Sequence, residues 1–307
     1  MKHRKRHRGR RLARVLGVST LAALAGFAAR RHLQPGGPAR ADFLVEGRPG
    51  AAVITGASSG LGAAYARDLA SRGLDLLLVA RRTELLDALA EELTRGYGVA
   101  VEVMAADLSR LEDVERVAGR MAGMGRLVLL ANNAGFGAPG RWAGVDLKRQ
   151  LEMIQVHVTA SAYLTRVALP GMIARGKGHI VNTASVAAFI PLAGDVNYSA
   201  TKAYLVTFSE GLAGELRGTG VHVQALCPGF TLTDFHEVTK PGGFDRSQVP
   251  SFMWADAAQV VRESLAALGG HRVVVVPGVP YRVVVALARQ PLLMPLFRMG
   301  ARMRRGG

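Results

Sequence analysis

The sequence predicts an α/β protein: a single domain built on one doubly wound parallel sheet of about seven strands, with helices on both faces. Three observations carry this expectation. Short β-type runs alternate along residues 51–277 with stretches of 15 to 40 residues patterned as helices. The runs are apolar almost without interruption, as strands covered on both faces must be. A glycine-rich turn stands directly between the first strand and the first helix, where a phosphate-binding loop belongs.

The expected strands are AAVIT from residue 51, LDLLLVA from 74, VAVEVMAA from 99, RLVLLA from 126, HIVNTAS from 179, VHVQALC from 221 and RVVVVP from 272. Parallel neighbours need long crossovers, and the intervening stretches supply them as helices. One such stretch, TELLDALAEELTRG, is expected to stop at Gly96. In this architecture the ligand crevice opens beyond the carboxyl ends of the strands. The body shows no internal repeat and no low-complexity segment.

A chain of 307 residues, 49% of them hydrophobic, can bury a full core. Its net charge of +16 is confined to the ends. Residues 1–40 hold Lys2, Lys5 and nine arginines with no acid, and residues 289–307 add Arg289, Arg298, Arg302, Arg304 and Arg305. The body between them carries no net charge, which argues against a nucleic-acid partner, because such a partner needs cations spread over a folded face. With Cys227 as the one cysteine, there is no internal disulfide framework and no cysteine-rich metal cluster. A reducing, cytoplasmic setting suits such a chain.

Three regions are expected: a leader over 1–41, a body over 42–282 and a basic amphipathic tail over 283–307. In the leader, fifteen uncharged residues, Val15 to Ala29, follow the arginines. As a helix they would span about 22 Å, short of the ~30 Å hydrocarbon core. Two readings stay open: a disordered or interfacial leader, or attachment to a membrane surface. Arg10-Arg11 invites a twin-arginine signal reading, weakened because Gly9 stands where a polar residue is usual. Gln34-Pro35-Gly36-Gly37-Pro38 then reads as a linker. In the tail, apolar islands broken by Pro291 and Pro295 could lie on anionic lipid or on a neighbouring subunit.

After the first strand stands Thr55-Gly56-Ala57-Ser58-Ser59-Gly60-Leu61-Gly62, followed by the helical run AAYARDLASRG. Glycines allow a tight turn and a close approach of backbone to a pyrophosphate, which the N–H groups of the helix start then hold. Further on, Ser185 ends the fifth strand, and Tyr198 and Lys202 follow at helical spacing i and i+4. A tyrosine has a pKa of about 10, and a cation stacked beneath it is expected to lower that value and make the phenol a usable acid–base group.

Together, TGxxxGxG at 55–62, NNAG at 132–135 and Ser185 ahead of Tyr198-x-x-x-Lys202 resemble the short-chain dehydrogenase/reductase family over about residues 50–280. The resemblance implies a Rossmann-type, nucleotide-binding oxidoreductase that interconverts a carbonyl and an alcohol. It implies that Ser185 orients the substrate oxygen, Tyr198 moves the proton and Lys202 holds the nicotinamide ribose. Gly56, Ser58, Ser59, Gly60, Leu61 and Gly62 would cradle the pyrophosphate. Asp107 and Leu108 would meet the adenine, and Asn133, Ala134 and Gly135 would border the ribose. Pro228, Gly229, Thr231 and Thr233 would border the nicotinamide.

At the end of the second strand an NAD site needs a carboxylate and an NADP site a cation. The strand ends in Arg81-Arg82 with no acid, so NADP(H) is the expected cofactor, with Arg81 as first choice for the 2′-phosphate and Arg82 as second. One position departs from the pattern. Many relatives carry an asparagine on the long helix that supports a water relay to the lysine, whereas this chain has His157, either an altered relay or a packing histidine. Phe235, Phe244, Phe252 and Trp254 fall in the substrate loop and suggest an apolar carbonyl or alcohol substrate. By analogy with the family, a homo-oligomer is expected. A non-catalytic NADP(H)-binding sensor or membrane-surface scaffold is the alternative. An extended-branch epimerase or dehydratase fits less well, because those usually have TGxxGxxG.

Overall fold

The structure, a computed structural model, describes residues 42–235, 245–270 and 272–289. Every expected apolar run contains a strand: β1 (Ala51–Thr55), β2 (Asp75–Ala80), β3 (Val101–Ala105), β4 (Leu127–Asn132), β5 (Gly178–Thr183), β6 (Val221–Leu226) and β7 (Val274–Val275). They form one parallel sheet in the order β3-β2-β1-β4-β5-β6-β7. The unbroken apolar runs have the predicted cause: every residue of β1, β4 and β5 is buried.

Successive strand residues point to opposite faces, and the core divides accordingly. Ala52, Ile54, Leu76 and Leu78 join Leu69, Leu86 and Leu93 on one face, under α1 (Gly60–Ser71), α2 (Thr83–Tyr97) and, through Val260 and Val261, α7 (Ala257–Ala267). Val53, Leu77, Val79 and Leu130 join Val114, Val117, Leu164 and Leu212 on the other. That face lies under α3 (Leu111–Ala122), α5 (Ser161–Ala174) and α6 (Val196–Glu215). The sheet is therefore a Rossmann-type doubly wound sheet, and its strand order reverses between β1 and β4, where the crevice opens.

Three details differ from expectation. α2 does not stop at Gly96 but at Gly98, whose φ of 69° is the left-handed conformation that ends a helix at least cost in glycine. The helix leading into α5 is not uniform: α4 (Leu147–Ile154) passes into a π-helical segment, Gln155–Ala160. A helix, α8 (Val279–Ala288), runs across residue 282, where the tail was expected to begin, and buries Tyr281, Val285 and Ala288. The readings placed on residues 1–41 and on Phe244, Pro291 and Pro295 lie outside the described residues. Among the described residues no helix is long and apolar enough to cross a membrane.

Candidate active site

The glycine loop lies at the carboxyl end of β1 against the loop after β4. Thr55 Oγ1 accepts from the backbone N–H groups of Asn133 and Ala134 at 2.9 and 3.0 Å, and Asn133 Nδ2 donates to Thr55 O at 3.0 Å. The packing leaves no room for side chains at two glycines. A Cβ at Gly56 would lie 2.8 Å from Ala134 Cα, and one at Gly62 only 2.1 Å from Gly56 O. Gly60 has a φ of 55° and opens α1.

The start of α1 is prepared for an anion. Its cap residue Ser59 makes no capping hydrogen bond, and the first turn contains no acid. The Ser59 hydroxyl instead accepts from Arg82 Nη2 at 2.8 Å, and Ser58 Oγ accepts from Arg82 Nη2 and Nε at 3.0 and 3.3 Å. Arg82 thus leans over the loop, and the planar fork suits a phosphate. Arg81, the first choice from the sequence, is also exposed, but the hydroxyl contacts belong to Arg82. These features fit the phosphates of a nicotinamide dinucleotide.

Asp107, after β3, accepts from the N–H and hydroxyl of Ser109 through one oxygen, Oδ1, at 3.1 and 2.8 Å. Its own N–H donates to Asp113 Oδ2 at 2.7 Å, and Leu108 is buried beside it. Behind the site, Asn132 Nδ2 donates to Thr165 Oγ1 at 3.0 Å and to Asn182 Oδ1 at 2.8 Å, joining β4 to α5 and β5. Buried amides so paired hold neighbouring strands in one register.

Ser185 follows β5 in extended conformation, its hydroxyl accepting from Ala187 N–H at 3.1 Å. Tyr198 and Lys202 share one face of α6, with the ammonium 5.6 Å from the phenol ring centre. Lys202 is 4% exposed and donates to Thr183 O at 2.7 Å. Serine, tyrosine and lysine therefore converge beside the end of β5.

The electrostatics differ from the expectation. Burial pushes the Tyr198 phenol up to about 12, a hydrogen bond with Ser185 opposing and the Asp195 charge adding to the rise. Tyr198 as a whole is half-buried. Lys202 does not bring the phenol below its usual value, because burial lowers its own pKa to about 7 and it spends a donor on Thr183 O. The phenol is held protonated at neutral pH.

His157 sits in the π-helical segment and is fully buried. Its Nε2 accepts from Phe136 N–H at 3.1 Å, and its Nδ1 lies 2.9 Å from Thr201 Oγ1. Since the Thr201 hydroxyl donates to Tyr198 O at 2.9 Å, Nδ1 must carry the proton. Burial, with Lys202 nearby, holds the ring well below an ordinary histidine pKa, so it is neutral. It joins the loop after β4 to the helix that carries Tyr198 and Lys202. A Cβ at Gly135 would stand 2.7 Å from His157 Nε2 and 3.4 Å from Lys202 Nζ, so the glycine lets the two lie side by side.

After β6, Pro228 O accepts from Val186 N–H at 3.0 Å, tying this loop to the Ser185 turn. Thr231 is buried, and a Cβ at Gly60 would lie 3.0 Å from Thr233 Cγ2, so this segment closes over the glycine loop. Phe235 stands 6.0 Å from Tyr198 between ring centres, and Phe230 5.4 Å from Trp254. Cys227 is buried, its thiol pushed up to about 12 by burial, and it packs rather than reacts. Tyr281, which nothing in its sequence neighbourhood marks, reaches this region from α8, its hydroxyl 2.9 Å from Phe230 N and 2.6 Å from Met253 O. Among the described residues no group of three or more metal-ligating side chains occurs.

The sequence pattern of the short chain dehydrogenase family matches residues 50–242. A very-long-chain 3-oxoacyl-CoA reductase of Anas platyrhynchos is 36% identical over 218 residues, 69% of this chain and 69% of that protein. Among solved structures, a short-chain dehydrogenase from Sphingobium yanoikuyae in complex with NADPH aligns with a TM-score of 0.70 at 34% identity, covering 83% of this chain and 94% of the other. A short chain dehydrogenase/reductase from Burkholderia phymatum in complex with NAD aligns with a TM-score of 0.71 at 28% identity, covering 82% and 97%.

Proposed function

Because the chain belongs to the short-chain dehydrogenase/reductase family, we propose that it works as an NADP(H)-dependent carbonyl reductase on an apolar ketone or aldehyde. The observation that carries this reading is the meeting of Ser185, Tyr198 and Lys202 at the end of β5, with the phenol kept protonated. A protonated phenol is an acid ready to donate, as reduction of a carbonyl requires.

Ser185 and Tyr198 donate to the substrate carbonyl oxygen and stabilise the negative charge that develops there. When bound, NADPH supplies the hydride to the carbonyl carbon. Tyr198 gives its proton to the forming alkoxide. Lys202, anchored on Thr183 O, turns its remaining donor capacity to the nicotinamide ribose and to the phenolate left behind. His157 fixes the start of α6 through Thr201 and stays neutral throughout.

Arg82 discriminates in favour of the 2′-phosphate, with Arg81 beside it. The glycine loop holds the pyrophosphate, Asp107 the adenine, and Asn133 to Gly135 and the Pro228 to Thr233 segment the ribose and nicotinamide. Phe230, Phe235 and Trp254 support an apolar substrate, and the related 3-oxoacyl-CoA reductase is named for one with a long acyl chain. A homo-oligomer is part of the proposal. Leu147 and Leu151, one helical turn apart on α4, are 61% and 55% exposed, and light scattering measures whether they pair. Contact of the termini with a membrane surface is tested by whether deleting residues 1–40 moves the protein from pellet to soluble fraction.

The experiment for the function itself is a panel of ketones and aldehydes with loss of NADPH absorbance. Turnover of apolar members is expected, and no turnover of any member, with NADPH binding intact, overturns the proposal.

A further inference from the structure

Among the described residues, two stems, 230–235 and 249–254, lie on the side of the reacting centre where Phe235 meets Tyr198. The first runs from Phe230 past Thr233, which lies against Gly60, to Phe235 beside Tyr198. The second ends at Trp254, whose ring lies against Phe230 and whose Nε1 donates to Val249 O at 3.3 Å. Thr231–Leu232, within the first stem, pairs with Ala255–Asp256, just after the second, as a short two-stranded ladder. Two-residue pairing is too short to fix the stems alone.

One side chain from a third element touches both. The Tyr281 hydroxyl accepts from Phe230 N–H at 2.9 Å and donates to Met253 O at 2.6 Å, which uses its proton and a lone pair on one stem each. Its ring covers Gly229 so closely that a Cβ there would fall 2.0 Å from Tyr281 Cζ. Tyr281 is 4% exposed and fixed in α8 by burial. Burial also raises its pKa, so the hydroxyl keeps the proton that the Met253 contact needs.

We infer that Tyr281 is a positioning residue of the active site: its hydroxyl pins both stems and so sets where Phe235 stands beside Tyr198 and Thr233 against the glycine loop. The inference rests on the proposed reductase function for its kinetic consequence alone. The pin itself is a matter of two hydrogen bonds.

Tyr281→Phe keeps the ring over Gly229 and removes the hydroxyl. Hydrogen exchange followed by mass spectrometry is expected to speed up in peptides covering 228–235 and 250–256, with α8 unchanged. The KM for a reduced apolar ketone should rise by about tenfold, the loss of roughly one hydrogen bond, with kcat and the NADPH dissociation constant moving by less than about twofold. In the unaltered protein the Phe230 amide should exchange far more slowly than an open amide, a measurement that needs no variant. An unprotected Phe230 amide, or faster exchange confined to α8, overturns the inference. So does an unchanged KM in an enzyme that turns over. Failure of the function instead shows as no turnover in the unaltered protein, with the exchange pattern still deciding the pin.

Discussion

Replacing Arg82 by alanine removes a guanidinium that donates at 3.0 Å to Ser58 Oγ and at 2.8 Å to Ser59 Oγ. Those hydroxyls aim the fork at the start of α1, where the 2′-phosphate of a bound NADP(H) would meet it. A hydrogen bond to a charged group contributes about 1.5–3 kcal/mol. Arg82 is exposed, so water and salt screen the contact and the lower part of that range applies, about 1.5–2 kcal/mol. That corresponds to a loss of about ten- to thirtyfold in NADPH affinity. NADH lacks the phosphate, and its affinity should change by less than about threefold. Titration followed by nicotinamide fluorescence reads both constants, and the parent should lose its NADPH preference with rising salt faster than Arg82→Ala does. Arg81→Ala, run alongside, should cost less. The reasoning is refuted if Arg82→Ala binds NADPH as the parent does, or if NADPH and NADH weaken equally.

Gly62→Ala puts a methyl 2.1 Å from a backbone carbonyl that cannot move aside, so NADPH binding should be lost in the same titration while Gly96→Ala, with open space around it, is tolerated. His157→Ala leaves the Phe136 N–H without its acceptor in a buried place and should cost about 2–4 kcal/mol of stability by urea unfolding. His157→Asn should recover part of that loss, and the pH dependence of kcat between 6 and 8 should stay unchanged, because a ring held neutral has no proton to gain there. Lys202 titrates near 7 in the folded chain and near 10.4 in the unfolded one, so between those values the unfolded chain binds more protons and stability rises with pH. For Tyr198 the folded value, about 12, lies above the unfolded one, and stability falls again above pH 10. Thermal melts from pH 7 to 10 should show the rise, and Lys202→Met should flatten it.

What the sequence made legible was whatever depends on local spacing. The strands came from apolar runs such as AAVIT, whose every residue is buried, and the glycine loop from its place between β1 and α1. Tyr198 and Lys202 are one helical turn apart, so their common face follows from chain geometry. Contacts between distant segments were not legible. That Arg82 reaches two serines 23 and 24 residues earlier is such a contact. Tyr281 lies 51 residues from the amide it holds, and its own surroundings, VPYRVVVALA, read as an ordinary apolar helix. The rise in the Tyr198 pKa escaped for the same reason: proximity of Lys202 is written in the spacing, whereas burial of both groups is a property of the packed whole. Gly96 and Gly98 are equally good helix stops in sequence, and only the backbone conformation separates them.

Tyr198 is the proposed proton donor on which catalysis depends. Tyr198→Phe keeps the ring against His157, at 5.9 Å between centres, and against Phe235, and removes the hydroxyl alone. Single-turnover reduction of an apolar ketone by enzyme-bound NADPH measures the step directly. The predicted result is a rate at least about a hundredfold lower with the NADPH dissociation constant unchanged within about twofold. Reduction at the parent's rate by the phenylalanine variant would contradict it.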